Sequence, residues 1–343
     1  MEFNLNKMIR PHLAGVKSYK TLRDSYINKQ AVYLDANENP FGEFNRYPEG
    51  DPIQLKKKLA EINLAKTENL FLGNGSDELI DLTMRIFGEP AKDSILIMNP
   101  SFVMYEIYAK MNNLQVEKLQ LNSDFQLEKD KFLDTASKSQ AKVLFLCSPN
   151  NPTGNSIADL EFYIQNFNGI VVVDEAYIEF SPEDSAVNLL SKYPNLIVLK
   201  TLSKAFGMAG LRIGVGFASP EIASLFIQLK PPYNISSESQ KLALEQLNNL
   251  EVFKNNISII LKEKEKLKFG LEQINQVVKI FPSDANFFLI EFKDAQLIYQ
   301  KLLDKNILTS LRHPNLKNCL RISVGTAEEN SELLKVLSEI NQS

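Results

Sequence analysis

Lys204 sits beside Ser203 in a short polar turn. An apolar run (Leu196, Ile197, Val198, Leu199) leads into it, and a small-residue segment (Ala205, Gly207, Ala209, Gly210) leads out to Arg212. An amine presented from a tight turn, with a hydroxyl alongside and a guanidinium further on, suits one chemistry well. The amine condenses with an aldehyde cofactor to a Schiff base, while Ser203 and Arg212 hold that cofactor's phosphate. The plain alternative is a surface lysine between two strands. Within the stretch the choice is narrow: Lys200 falls inside the strand pattern and Lys204 in the turn.

Residues of matching chemistry stand elsewhere. Gly75, Ser76 and Asp77 follow an apolar run and open an amphipathic pattern with acidic residues in its first turn. Free backbone N–H groups and a helix dipole make such a junction an anion site, or simply a strand–helix turn capped by Ser76. The three-glycine dinucleotide fingerprint is absent. Asp174 ends the run Val171, Val172, Val173, where a carboxylate is costly unless paired. A protonated pyridine nitrogen satisfies it, as does a helix cap or a metal. Tyr177 can bring a hydroxyl to the same ligand, or serve structure alone. Asn151 lies in SPNNPTGN, between two prolines; it can donate to a phenolate oxygen or build a turn. Phe102 of NPSF can stack on a flat ring or fill a core. Arg312 and Arg321 carry planar forks suited to carboxylate and phosphate, or stay solvated.

Most of these residues lie just after an apolar run, which is the reason to group them. Strand patterns in NLFLGNG, DSILIM, VEKLQL, AKVLFLC, GIVVVD and NLIVLK alternate with helical stretches to about residue 220. That alternation predicts an α/β fold, a mostly parallel sheet flanked by helices. Ligands of such sheets sit outside the carboxyl ends of the strands. A short strand is expected at AVYLDA, a helix from Ile53 to Ile62, and Ser76 as cap of the helix after GNG. Beyond PPYNIS a long charged helical region is expected from Ser237 to Asn275. Two strands follow in VVKIFPSDANFFLIEF, one in CLRISVG, and a closing helix in AEENSELLKVLSEI. The expected division is an N-terminal arm (1–30), a large domain (31–225) and a smaller α+β C-terminal domain (226–343).

The 343 residues are 44% hydrophobic and 23% charged, an ordinary globular composition. A net charge of −4 argues against a nucleic-acid surface, which needs basic patches. Cys147 and Cys319 are too few for a disulfide framework, which points to the cytoplasm. Two histidines, His12 and His313, offer little to a metal site or a Ser/His/Asp triad, so no metal is expected. MEFNLNKMIRPHL lacks the apolar core of a signal peptide, and no apolar run approaches the roughly 20 residues of a spanning helix, so no membrane association is expected.

Taken together, LDANENPFG, RYP, GNGSDELI, NPSFVMY, SPNNPTGN, VVVDEAYIEF, TLSKAFGMAGLRIG and LRISVGT span nearly the whole chain. They resemble the fold-type I, pyridoxal-phosphate-dependent aminotransferases, and within them the histidinol-phosphate aminotransferase branch. The resemblance implies pyridoxal 5′-phosphate as cofactor and Lys204 as the Schiff-base lysine that also moves the proton. It implies Asp174 for the pyridine nitrogen, Asn151 and Tyr177 for the ring hydroxyl, and Phe102 for the ring face, where this branch commonly carries Tyr. Gly75, Ser76, Asp77, Ser203 and Arg212 fall at the phosphate cradle. Tyr47 of RYP matches a tyrosine that reaches the neighbouring subunit's cofactor phosphate, implying a homodimer. Arg321 matches the arginine for the amino donor's carboxylate, Arg312 one that meets the substrate phosphate, and Asn37 lies in the substrate-side loop. The implied reaction is transamination between L-histidinol phosphate and 2-oxoglutarate, giving imidazole acetol phosphate and L-glutamate, a step of histidine biosynthesis. Rivals on the same fold are an aromatic or broad-specificity aminotransferase and a threonine-phosphate decarboxylase. The effector domain of a transcription regulator is disfavoured, because no basic N-terminal module accompanies the chain.

Overall fold

The computed structural model describes residues 3–13, 15–17, 23, 31–311 and 316–340. The main sheet has seven strands: β1 (Leu70–Asn74), β2 (Ser94–Asn99), β3 (Gln115–Gln120), β4 (Ala141–Cys147), β5 (Ile170–Asp174), β6 (Leu196–Thr201) and β7 (Ile213–Ala218), ordered β1-β7-β6-β5-β4-β2-β3. The pairs from β3 across to β6 are parallel. β7 runs antiparallel to both its neighbours. Every residue of β5 is buried, because helices cover both faces, and such strands read as continuous apolar runs instead of alternating ones. Reversal of β7 brings its first residue, and Arg212 just before it, to the sheet edge where the other strands end.

The helices whose full extent lies among the described residues are α1 (Leu5–Met8), α2 (Ile53–Ile62), α3 (Ser76–Phe87), α4 (Met104–Met111), α5 (Lys129–Lys138), α6 (Leu160–Gln165), α7 (Pro220–Leu229), α8 (Ser237–Leu247), α9 (Leu250–Leu271), α10 (Ala295–Asp304) and α11 (Ala327–Ile340). α3 buries Leu79, Ile80, Met84, Ile86 and Phe87, and α7 stacks Phe226 on Phe71 of β1 at 4.0 Å between ring centroids. Full burial of each such side chain is worth about 1.5–3 kcal/mol. A second sheet, β8 (Val277–Ile280), β9 (Phe287–Phe292), β10 (Ser310–Leu311) and β11 (Cys319–Ser323), is antiparallel in the order β10-β11-β9-β8. Its core of Leu267, Phe288, Ile290, Leu302 and Leu337 is separate from that of the main sheet. Among the described residues, no helix is long and apolar enough to cross a membrane.

Several local expectations are corrected. AVYLDA forms no strand: Val32 and Leu34 are 86% and 88% exposed, so its alternation faces solvent without a partner strand among the described residues. Ser76 is the first residue of α3 and not its cap; the cap is Gly75 at φ 81°, backbone that glycine adopts without steric cost. The charged helical region breaks at Asn248 and Asn249, between α8 and α9, residues of lower helix propensity than the Lys, Glu and Leu around them. Of the arm, Phe3, Leu5, Met8 and Ile9 pack on the main core, and the Arg10 N–H bonds the Ile86 carbonyl at 2.9 Å.

Lys200 is structural. From within β6 its Nζ reaches Asn63 Oδ1 at 3.0 Å, Glu179 Oε1 at 3.4 Å and Glu175 Oε2 at 3.9 Å. The Glu175 carboxylate is buried and accepts from Ser185 Oγ at 2.5 Å and the Ala186 N–H at 2.6 Å. Burial pushes it from 4.5 up to about 7, against the pull of Lys200 and both donors. The folded chain therefore holds a proton that the unfolded chain has released, and stability falls as pH rises from 4.5 to about 7. The melting temperature is expected to decline across that window and level off above it. Glu175→Gln should remove this component of the decline; an unchanged slope would disprove the assignment.

Candidate active site

The strand ends meet at one edge of the main sheet. Register sets Asn74 opposite Ile213, Cys147 opposite Asp174, and Thr201 opposite Gly214. Just past those ends stand Gly75, Ser76 and Asp77, then Asn151, Tyr177, Ser203 and Lys204. The residues grouped by position in the sequence are thus brought together by the sheet.

Asp174, last in β5, is 3% exposed. Its Oδ2 accepts the Tyr105 hydroxyl at 2.6 Å and its Oδ1 the Ala176 N–H at 3.2 Å. Burial pushes this carboxyl up, while Tyr105, Ala176 and the charge of Lys204 favour its ionised form. Lys204 is exposed at the mouth of the site, with Nζ 5.7 Å from the centroid of the Tyr177 ring. The protein around its amine lowers the proton affinity, chiefly by desolvation and then by the charge of Arg321; Asp77 and Asp174 oppose this. A lysine so placed is a better nucleophile and base than one in bulk water.

The turn opening α3 carries no side-chain cap, so its first N–H groups face outward. Arg212, in a left-handed conformation at φ 53°, reaches Asp77 Oδ2 with Nη2 at 3.5 Å. Gly214 lies directly beneath: a β-carbon there would stand 2.4 Å from the Ser76 nitrogen, so any larger residue displaces the turn. The Ser203 N–H donates to Thr201 Oγ1 at 3.1 Å, which holds the hydroxyl-bearing turn beside this cradle.

Arg321 comes from β11 of the second sheet, yet its Nη1 donates to Asn151 Oδ1. The Asn151 amide nitrogen is then the end left to donate. Neighbouring Asn150 ties the loop down, accepting from Ser101 Oγ at 2.9 Å and donating to the Pro100 carbonyl at 3.0 Å. The Arg321 guanidinium lies 5.4 Å from the centroid of the Phe287 ring, which itself meets Tyr177 edge-on at 5.2 Å. Phe102 is half-buried, its ring edge-on to Tyr105 at 5.6 Å.

Asn37 and Tyr47 are exposed on a loop organised by Glu38. That carboxylate, almost wholly covered, takes Arg23 at 2.8 Å, Arg46 at 2.6 Å and the Tyr47 N–H at 2.7 Å. Arg23 above all holds it well below the usual carboxylate range. Tyr47 stacks on Tyr233 at 4.6 Å. Arg312 lies outside the described residues. Tyr105 joins the site without a motif of its own; its trace in the sequence is a tyrosine three residues after Phe102, in NPSFVMY. Among the described residues, no group of His, Cys, Asp or Glu is arranged to hold a metal.

A histidinol-phosphate aminotransferase of Christiangramia forsetii is 43% identical to this chain, over 99% of both sequences. That of Parabacteroides distasonis is also 43% identical, over 98% of this chain and 99% of its own length. The crystal structure of the histidinol-phosphate aminotransferase from Clostridium acetobutylicum superposes with a TM-score of 0.79 at 25% identity, covering 87% of this chain and 91% of that one. The family described as aminotransferase class I and II matches residues 19–337. A lysine of lowered proton affinity and a buried carboxylate beside a cleared helix N-terminus accord with that match, and the chain belongs to the class I and II aminotransferases.

Proposed function

We propose that this protein is a histidinol-phosphate aminotransferase. It uses pyridoxal 5′-phosphate to exchange the amino group between L-histidinol phosphate and 2-oxoglutarate, in histidine biosynthesis. The observation that carries the chemistry is Asp174, a buried carboxylate at the strand edge beside Lys204, with an uncapped helix N-terminus across from it. Full-length likeness to enzymes of that name supports the substrate.

Pyridoxal phosphate fits these residues. The phosphate suits the N–H groups of Ser76 and Asp77, cleared by Gly75 and Gly214, with Ser203 and Arg212 alongside. The ring nitrogen suits Asp174, the ring hydroxyl Asn151 and Tyr177, and one ring face Phe102. When bound, the cofactor supplies an aldehyde and an electron-withdrawing ring. Lys204 Nζ takes the proton from the substrate's α-carbon and later returns one, aided by its lowered proton affinity. Asp174 keeps a proton on the ring nitrogen. Arg321 binds the amino donor's carboxylate, Arg312 the substrate phosphate, and Asn37 borders the substrate side. One pocket must take a dicarboxylate and then a phosphorylated imidazole, and two arginines serve either anion.

Steady-state kinetics with histidinol phosphate, phenylalanine and threonine phosphate test the substrate. A kcat/KM at least about 100-fold higher for histidinol phosphate is expected, since a site built for polar groups rejects analogues lacking them. Preference for phenylalanine, or release of CO2 from threonine phosphate without 2-oxoglutarate, would overturn the specific name.

The assembly is a homodimer in this reading, with Tyr47 reaching the partner's cofactor phosphate. Val32, Leu34, Phe41 and Phe44 are largely exposed on the same loop, an apolar surface of the kind that marks an interface. Light scattering should return twice the chain mass, and Tyr47→Phe should weaken cofactor binding; a monomer at assay concentration contradicts this. The two cysteines, buried and unpaired, accord with a cytoplasmic location.

A further inference from the structure

Tyr105 stands on α4 with no exposed surface, its ring stacked on Phe145 of β4 at 4.8 Å and edge-on to Phe102. A phenol in such surroundings needs a polar partner, or phenylalanine would serve as well. Its partner is Asp174 Oδ2, at 2.6 Å. That length is typical of a charge-assisted O–H···O⁻ bond, and both groups are shielded from competing water. We propose that the Tyr105 hydroxyl is a positioning donor for Asp174, holding its carboxylate ionised and in one orientation, and so sets how completely the cofactor's ring nitrogen stays protonated.

The direction of the bond follows from chemistry. An ionised carboxylate only accepts, so the phenol donates. Burial and the neighbouring charge of Asp174 push the phenol's own ionisation well above its ordinary range, so it remains a donor throughout the working pH range. The Cys147 thiol also meets this phenol, and its ionisation is likewise pushed up by burial, leaving it neutral. Asp77 disfavours and Lys204 favours the Asp174 charge, both through space. Tyr105 on Oδ2 and the Ala176 N–H on Oδ1 pin both oxygens and thereby the carboxylate plane. Phe145 and Phe102 pack against the phenol ring, while its hydroxyl meets the carboxylate. Removing the donor raises the carboxylate's proton affinity, and the proton shared with the ring nitrogen moves toward oxygen. The nitrogen loses positive charge and the ring withdraws electrons less well.

This inference rests on the reading that Asp174 faces the ring nitrogen, and the test separates the two. The holoenzyme is reconstituted with pyridoxal phosphate labelled with 15N in the ring, and its 15N resonance is recorded for the wild type, Asp174→Asn, Tyr105→Phe and Phe145→Leu. Tyr105→Phe keeps the ring stack, and Tyr105→Leu is prepared in parallel should the first fail to fold. The resonance is expected to move toward the neutral-pyridine position in both Tyr105 variants and further in Asp174→Asn, and to stay in place in Phe145→Leu. In Tyr105→Phe, kcat should fall about ten- to a hundred-fold, the scale of one hydrogen bond to a charged group, with KM for the amino donor changed less than about two-fold. A resonance that moves in Asp174→Asn but not in the Tyr105 variants overturns the role of Tyr105. One that does not move in Asp174→Asn overturns the underlying reading. A shift of equal size in Phe145→Leu would reduce Tyr105 to packing.

Discussion

Lys204→Ala is expected to lower turnover by about 10⁴-fold or more and to remove the visible absorbance that the cofactor gains on binding. In the proposed mechanism two functions leave with one side chain, the nucleophile that condenses with the cofactor aldehyde and the base at the α-carbon. No neighbour can substitute. Lys200 is four residues away but its Nζ is committed to Asn63, Glu179 and Glu175 on the strand. Arg212 and Arg321 stay protonated and cannot act as base or nucleophile. Fold stability should be little affected, since Lys204 is exposed. Absorbance titration with pyridoxal phosphate and single-turnover kinetics check both parts; retention of either rules Lys204 out as the condensing amine.

Asp174→Asn is expected to reduce kcat by roughly 10²- to 10⁴-fold while leaving KM for the amino donor nearly unchanged. Breaking a buried ion pair by neutralising one partner costs about 3–5 kcal/mol, and each 1.36 kcal/mol is tenfold in rate. The amide keeps the shape of the carboxylate, so the strand end should stay in place. Its nitrogen nevertheless faces one of two existing donors, the Tyr105 hydroxyl or the Ala176 N–H, so part of the loss is local repulsion. Asp174→Ala separates these contributions, removing charge and repulsion together. A kcat within about three-fold of wild type in both variants would show that the ring nitrogen does not depend on this carboxylate.

Much of the fold was legible because burial leaves a local trace. β5 and β6 are buried along nearly their whole length, and each opens with four consecutive apolar residues. α2 and α11 carry apolar residues at helical spacing and were placed to the residue. Where the pattern misled, the partner was missing from the local window. Val32 and Leu34 alternate like a strand, yet among the described residues no strand pairs with them. The break at Asn248 and Asn249 is small beside the charged pattern on either side.

The sequence by itself determined the chemistry available: a lysine in a small-residue turn, a carboxylate ending a buried run, an amide loop between prolines, and arginines late in the chain. It also set Lys204 in the turn and Lys200 within the strand. Only the tertiary structure decided how these meet. A strand's residues record whether it is buried but not which way it runs, and the reversal of β7 is what delivers Arg212 to the edge where Asn74, Asp174 and Thr201 end. Likewise no local rule joins Arg321 to Asn151 across 170 residues, or Tyr105 to Asp174 across 69. Those contacts exist because separate elements pack, and packing partners at such separations are chosen by the whole core.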